Sequence, residues 1–567
     1  MRKSILACCL GLLLSAAALS AAFGQARLIE QRPFEPVVLR GGVLDAFSGY
    51  PLNEIYLYAW DDSAGNWRMM PFQIDERVHW PDPNNPEVNR HSYFIPDTAV
   101  GFDPDDELVF MIRDMGEKAP ERAWIPDPES KSFNRLELRI YDPDSVQIDA
   151  YAYLYRSSTI SEPVPSPYQF IYHAAQDSIE SKYYAVGLGA KTGLVEDIVI
   201  KPPFGSGQDI FDRQKIRATA ALSAGPLNFR FEKVDENLIK LVPGYREVTQ
   251  KPVVRLIREV RQTFNLGIAL ENDMAFYVTT RFYPFNGRVA GGSALDDSSL
   301  RKAMPKWDDP FILFEVLRQS WDLNANARGM LFYNKHNTAV PVDGVPDVVD
   351  LAIDKPIHDW NLVAGPQGAL FSMTTLPDTV ATSISLYYYD NSAGGTGDLA
   401  RLGYYDTGDK ASYGDFGFTM YNANSLELSF EMYFLPNTVN TVEQARSLAD
   451  AIERPFKAYG SVATGISGLP GEAAPASFSL AQNYPNPFNQ ATSMSFTLPK
   501  AEHVRLEIFN AQGRLVRRLA DWEYPGGTHR LYWDGRDDAG RALSSGVYFY
   551  QLGGDGRTVR QKLLLLR

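Results

Sequence analysis

Residues 135–155 read RLELRIYDPDSVQIDAYAYLY. Leu136, Leu138 and Ile140 alternate with charged neighbours, the two-residue period of a strand with one buried face. From Ile148 to Tyr155 the pattern continues, with Ala150, Ala152 and Leu154 on one face and the tyrosines opposite. Upstream, IYLYAW (Ile55 to Trp60) and NWRMMPFQIDERV (Asn66 to Val78) flank an Asp-Asp-Ser-Ala-Gly turn, which predicts a hairpin. Pro81, Pro83 and Pro86 mark a loop, and ELVFMI (Glu107 to Ile112) is strand-like. Downstream, IRATAALS, NFRFEKV, AFYVTTRFYPF, FILFEVL, GALFSMTTL, SISLYYYD, GDFGFTMY and LELSFEMYFL are further strand candidates. Parallel strands need crossovers of a dozen or more residues, usually helical, and these are mostly missing. The expected fold class is mostly β, a large antiparallel sandwich region of one or two domains.

One helix is predicted near the end of that region. Thr441 with Gln444 three residues on makes a capping box. Ala445, Leu448, Ala449 and Ile452 then share one face, and Pro455 stops the run. SSTISEPVPSP (Ser157 to Pro167) interrupts the strands and separates an N-terminal β-rich domain, 25–157, from a central sandwich, 168–459. GSVATGISGLPGEAAPAS, from Gly460 to Ser477, has little to bury and reads as a linker.

Arg2 and Lys3 followed by an apolar stretch from Ile5 to Ala22 have the pattern of a secretory signal peptide, 1–24, with cleavage after Gly24 exposing Gln25. Such a chain keeps no stable transmembrane segment after cleavage. Both cysteines, Cys8 and Cys9, lie inside that stretch. The mature chain then has no disulfide, thiolate nucleophile or cysteine-bound metal, and its stability must come from core burial. The 55 basic and 69 acidic residues give a charge of −14. Basic residues outnumber acidic ones after Phe478, so the acidity belongs to the larger region, where no basic stripe serves nucleic acid.

From Phe478 to Arg567 about seven short strands follow one another, the size and pattern of a small immunoglobulin-like sandwich. Val504, Leu506 and Ile508 supply one buried face, and NAQG (Asn510 to Gly513) a turn. Asn483-Tyr484-Pro485-Asn486-Pro487-Phe488-Asn489, Gly513, WDGRD (Trp533 to Asp537), SSGVYFY (Ser544 to Tyr550) and the closing QKLLLLR together resemble a known family. They are similar to the flagellar-hook-capping-like immunoglobulin domains, or type A C-terminal sorting domains, of the type IX secretion system. Gln490 stands where proline is commoner. The resemblance implies an outer-membrane secretion machinery as partner and delivery, via the periplasm, to the surface or medium of a Gram-negative-type bacterium. Read from the residues themselves, Trp533 is a core anchor, Asp534 and Gly535 a turn, and Gly546 a close-packing point.

Chemistry-bearing motifs are sparse. GFDPDDELVFMIRD gathers Asp103, Asp105 and Asp106 with Glu107 and Asp114, oxygen ligands of the kind calcium takes. An Asp-Pro turn capping backbone amides explains the same residues and is preferred. Asp75 and Glu76 approach this cluster if their strands are neighbours. His358 and Asp359 in DKPIHDWNLV are candidate acid/base residues, although successive strand residues face opposite ways. Gly394 to Asp398, GGTGD, lacks the lysine of a phosphate loop and reads as a turn. Phosphate-loop, dinucleotide, zinc-helix and serine-elbow signatures are absent, and no cofactor is expected. Trp60, Trp67, Trp80, Trp307, Trp321 and Trp360 form no single stripe; exposed rings suit sugars, buried ones are core. The leading expectation is a non-catalytic exported protein that binds glycan or another surface polymer. The alternatives are a polysaccharide lyase or glycoside hydrolase, and a structural envelope or filament component.

Overall fold

A computed structural model describes residues 28–82, 85–94, 101–142, 145–224, 227–264, 275–290, 311–352, 358–375, 383–393, 411–423, 429–464, 478–484, 486–489, 492–499, 502–524, 527–533, 535–537 and 541–566. The protein is mostly β, built of antiparallel sheets, with a small immunoglobulin-like sandwich at its C-terminal end. The expected signal segment lies outside the described residues. Among those residues no helix is long and apolar enough to cross a membrane. The chain divides into two compact units. Val37–Val164 and Phe456–Arg567 belong to the first, and Pro165–Pro455 to the second.

In the first unit the decisive stretch is two paired strands, Asn134–Asp142 and Ser145–Arg156. They lie at the centre of a five-stranded sheet with Lys457–Thr464 on one side, and Ile55–Asp61 then Asn66–Met69 on the other. Alternation places Leu136, Leu138, Ile140, Ala150, Ala152 and Leu154 in one core with Val37, Leu39, Leu108 and Phe110. The last four come from a three-stranded sheet of Pro36–Arg40, Glu107–Met111 and Gln73–Asp75. Apolar faces from two sheets meeting in one core make a sandwich.

Two sequence expectations change here. NWRMMPFQIDERV is not one strand. Asn66–Met69 pairs with Ile55–Asp61, while Gln73–Asp75 crosses to pair with Glu107–Met111. Pro71, without an N–H, cannot continue the first ladder and sits at the crossing. The linker also does not open at Gly460. Lys457–Thr464 pairs with Asn134–Asp142 from Lys457↔Tyr141 to Thr464↔Asn134. A ladder is made by backbone, so its Gly/Ala/Ser composition does not prevent a strand, and Phe456 and Ala458 pack on the core below.

The second unit holds a five-stranded sheet, a nine-stranded sheet and a four-stranded sheet. The five-stranded sheet runs Leu227–Asp235, Phe211–Ala224, Phe311–Leu323, Ser412–Ala423, Ser383–Asn391. The capping box of the helix Val442–Glu453 is present as expected. Its buried Ala445 and Ala449 pack against Trp360, Leu362, Phe371 and Tyr433 of the nine-stranded sheet.

The C-terminal sandwich consists of a three-stranded sheet (Ser479–Leu480, Thr492–Leu498, Gly527–Trp533) and a four-stranded one (Leu515–Tyr524, Glu502–Asn510, Gly546–Gly554, Arg557–Leu565). Its core is its own: Phe488, Met494, Phe496, Val504, Leu506, Ile508, Trp533, Tyr550 and Leu552 are buried together.

Candidate functional site

The face of the five-stranded sheet opposite the apolar core is aromatic. Tyr151, Tyr153 and Tyr155 alternate with the core residues and are themselves buried, joined by Tyr58 and Met69, with Trp60, Trp67 and Trp124 half-buried around them. Trp67 is the hub. Its ring meets Trp60 at 5.3 Å, Tyr153 at 5.0 Å and Tyr155 at 5.7 Å, all edge to face. Such pairs are favoured by the ring quadrupole. Arg135 lies between two rings, 5.2 Å from Trp124 and 5.0 Å from Tyr153, with Nη1 donating to the Ala123 carbonyl at 2.7 Å.

The segment 116–125 is tied to this face. Trp60 and Glu117 form an isolated bridge, as do Gly116 and Tyr151. A Cβ at Gly116 would stand 2.2 Å from the Trp60 carbonyl oxygen, so no larger residue fits there. The Ala119 amide donates to the Tyr153 hydroxyl at 2.7 Å. Carboxylates stand at the edge: Trp60 Nε1 donates to Asp62 at 3.3 Å, and the Asp62 amide to Glu117 at 3.4 Å. Trp67 Nε1 is buried with no hydrogen-bond partner among the described residues. Burial pushes the Tyr58 hydroxyl up to about 12, so it stays protonated at any physiological pH. Aromatic rings and acceptor oxygens therefore lie together at this edge of the sheet.

Of the sequence candidates, Trp60 and Trp67 belong to this face. Trp321 and Trp360 are buried core residues of the second unit, and the side chains of Trp80 and Trp307 lie outside the described residues. Trp124, Arg135 and the buried tyrosines carry no local signature. Their period-two spacing was visible, yet alternation does not say that both faces are covered.

The acidic segment is brought together largely as a turn. The Asp105 and Asp106 amides donate to Asp103 Oδ1 at 2.8 and 3.3 Å, and the Asp103 amide donates back to Asp106 Oδ2 at 2.9 Å. Asp106 Oδ1 also accepts the Arg77 amide at 3.3 Å. Asp75 does pair in register with Glu107. Beside it, Arg77 Nη1 holds Glu107 at 2.6 Å, Tyr93 donates to Glu107 at 3.0 Å, and Gln73 donates to Asp75 at 2.5 Å. Protein donors therefore occupy many of the oxygens a cation would need. No group of three or more His, Asp or Glu side chains converges on a metal position among the described residues. Burial raises the Asp106 carboxyl to about 7 against its two amide donors.

His358 and Asp359 open the strand His358–Gly365, paired with Thr375 and Thr374. Asp359 is buried with Lys335 Nζ 3.1 Å away. The His358 side chain and the GGTGD loop lie outside the described residues.

In the C-terminal domain Trp533 is 1% exposed, and its Nε1 donates to the Arg536 carbonyl at 2.8 Å. Phe488 and Tyr548 pack against its ring, each at 5.5 Å. Gly535 has φ +72°, the left-handed region a turn glycine tolerates. Gly546 opens the strand Gly546–Gly554, a Cβ there meeting only Tyr548 at 3.9 Å. Asp534 lies outside the described residues. Asn483 is buried and donates to Thr492 at 2.8 Å, and the Tyr550 hydroxyl donates to the Ala481 carbonyl at 2.7 Å. Each conserves the closed two-sheet geometry by fixing the segment before the second strand.

Residues 482–555 match the FlgD Ig-like domain. That match covers the C-terminal sandwich and no part of the two larger β-regions. No curated protein matches the chain. Among solved structures, PorZ, a bacterial surface component of the type-IX secretion system of Porphyromonas gingivalis, is 12% identical, covering 73% of this chain and 47% of its own, with a TM-score of 0.13. Dimeric latent PorU from Porphyromonas gingivalis is 10% identical over 82% of this chain and 36% of its own, with a TM-score of 0.15. The trimeric ectodomain of the C. elegans fusion protein EFF-1 is 7% identical over 91% and 84%, with a TM-score of 0.13. This chain thus spans less than half the length of PorZ and of PorU. At these TM-scores the likeness carries neither fold nor function across.

Proposed function

We propose that this chain is an exported cell-surface or extracellular protein of a Gram-negative-type bacterium. Its C-terminal domain directs secretion or surface attachment through an outer-membrane machinery, and its aromatic face binds a glycan or another surface polymer. The observation that carries the delivery half is the FlgD Ig-like match over a segment that closes its own core. The apolar stretch from Ile5 to Ala22 supports export. The binding half is supported by the half-buried rings of Trp60, Trp67 and Trp124 and by the carboxylates of Asp62 and Glu117 beside Trp60, since sugar C–H groups pack on aromatic rings and sugar hydroxyls donate to acceptor oxygens.

Affinity electrophoresis of the full chain through polysaccharide-loaded gels tests the binding half. The expected result is retarded migration without release of reducing ends. Replacing Trp60 and Trp124 together with alanine should weaken it about tenfold or more, equivalent to about 1.4 kcal/mol. Unretarded migration through every polysaccharide would sink the binding claim. Release of reducing ends, or of unsaturated sugars absorbing in the ultraviolet, would replace it with a hydrolase or lyase.

A further inference from the structure

Three neighbouring strands of the five-stranded sheet in the second unit place an amine between two carboxyls. The register pairs Lys215 with Ser320, and Ser320 with Gly417. Asp322 lies two residues beyond Ser320, and Asp415 two residues before Gly417, so all three side chains belong to one sheet face. Lys215 Nζ is 2.6 Å from Asp322 Oδ2 and 3.8 Å from Asp415 Oδ2. The side chains are 3%, 0% and 2% exposed. Ser412 Oγ donates to Asp322 Oδ1 at 2.7 Å and accepts the Asp415 amide at 3.0 Å. Asp415 Oδ1 has no hydrogen-bond partner among the described residues.

We propose that Lys215 and Asp322 condense into a side-chain amide that covalently links the strands Phe211–Ala224 and Phe311–Leu323, with Asp415 as the proton carrier. An ammonium and a carboxylate in contact hold the atoms of an amide plus one water. Transfer of one proton from Nζ to Asp322 Oδ2 gives a neutral amine and a carboxylic acid. Burial and the neighbouring Asp415 charge both push the Asp322 carboxyl well above its usual range, which favours that neutral pair. The Nζ lone pair attacks Cγ, and charge develops on Oδ1, where the Ser412 hydroxyl donates. Asp415 takes the second proton from Nζ and delivers it to Oδ2. The Cγ–Oδ2 bond breaks, water leaves, and Asp415 is restored as a carboxylate. No oxidant or second reactant is needed.

The site also supplies the driving force. An amine and two carboxyls held out of water carry a desolvation penalty that their mutual attraction only partly offsets. Condensation replaces two of them, Lys215 and Asp322, with one neutral amide whose parent side chains are 3% and 0% exposed. A surface protein whose mature chain has no cysteine would gain the loop-closing restraint that a disulfide otherwise provides.

Mass spectrometry of the denatured, purified full chain decides the matter. After trypsin, Lys215 as an amide is no longer a cleavage site. The expected product is a branched peptide joining residues 214–217 to residues 319–328, lighter by one water than the two separate peptides together. Recovery of an unlinked 319–328 peptide at full mass, with cleavage after Lys215, would overturn the proposal whether or not any variant folds. Asp415→Asn should leave the chain unlinked. A branched peptide persisting in that variant would refute the role of Asp415.

Discussion

Asn486 Oδ1 accepts the backbone amide of Leu564 at 2.9 Å, fastening the opening motif of the C-terminal domain to its closing strand. Phe488 extends the clip, its amide donating to the Leu564 carbonyl at 3.0 Å and its carbonyl accepting from Leu566 at 2.8 Å. Asn486→Ala removes this acceptor and the Nδ2 donor to the Lys562 carbonyl at 3.3 Å, both at an exposed site, so the cost is about 1–2 kcal/mol. Urea unfolding followed by tryptophan fluorescence should show the C-terminal transition moving to lower denaturant by that amount, with the other transitions unmoved.

That motif also shows what a sequence exposes. Asn483 and Phe488, with the core line Val504, Leu506 and Ile508, are local patterns, and they lie where alternation and turn chemistry place them. The same holds for the capped helix at Thr441, whose signals sit within one turn. Gln73–Asp75 and Lys457–Thr464 depart from the local pattern because strand partnership is non-local. A proline diverted the first to another sheet, and an open strand edge recruited the second despite its linker-like composition. The aromatic face was half legible: Trp60 and Trp67 stood out, but their closure by Trp124 and Arg135 depends on a loop folding back. Lys215, Asp322 and Asp415 are far apart in sequence and meet only through sheet register, which periodicity does not encode.

Asp106 makes stability of the N-terminal sandwich depend on pH. Burial raises its folded pKa from 3.8 to about 7. Between those values the native state holds a proton that the unfolded chain has released. The contribution is therefore full below the unfolded pKa and is lost as pH rises through about 7. Asp106→Asn should flatten this part of the decline when unfolding midpoints are compared between about pH 4 and 8. An unchanged slope would mean that Asp106 titrates normally.

Calcium should do little in the same region. Arg77, Tyr93 and backbone amides already occupy oxygens of Asp103, Asp106 and Glu107. Scanning calorimetry in excess calcium and in chelator should differ by less than about 4 °C, under roughly 1 kcal/mol for a domain of this size. A rise of many degrees, abolished by Asp103→Ala with Asp105→Ala, would establish a calcium site.

Thr441→Ala tests the helix of the second unit. The hydroxyl accepts the Gln444 amide at 3.2 Å, and Gln444 Oε1 accepts the Thr441 amide at 3.2 Å. Losing the cap should cost about 1 kcal/mol. Hydrogen exchange should localise the change to the helix Val442–Glu453 and spare the C-terminal domain.

Trp533 joins the fold of the C-terminal domain to its proposed task. The ring is buried between Phe488 and Tyr548. Trp533→Ala should cost roughly 3–5 kcal/mol, comparable to the whole stability of a small domain. Among the described residues the sandwich core of Leu136, Leu138 and Leu154 contains no side chain from the C-terminal sandwich, so it should survive. Fractionating the native host tests both consequences together. Chains truncated before Phe478, and full chains carrying Trp533→Ala, should accumulate in the periplasm as soluble, protease-resistant β-domains, while the wild type reaches the surface or medium. Undiminished delivery of the truncated chain would remove secretion from the tasks of this domain. Delivery of Trp533→Ala alone would mean that the machinery reads an extended segment rather than a folded shape.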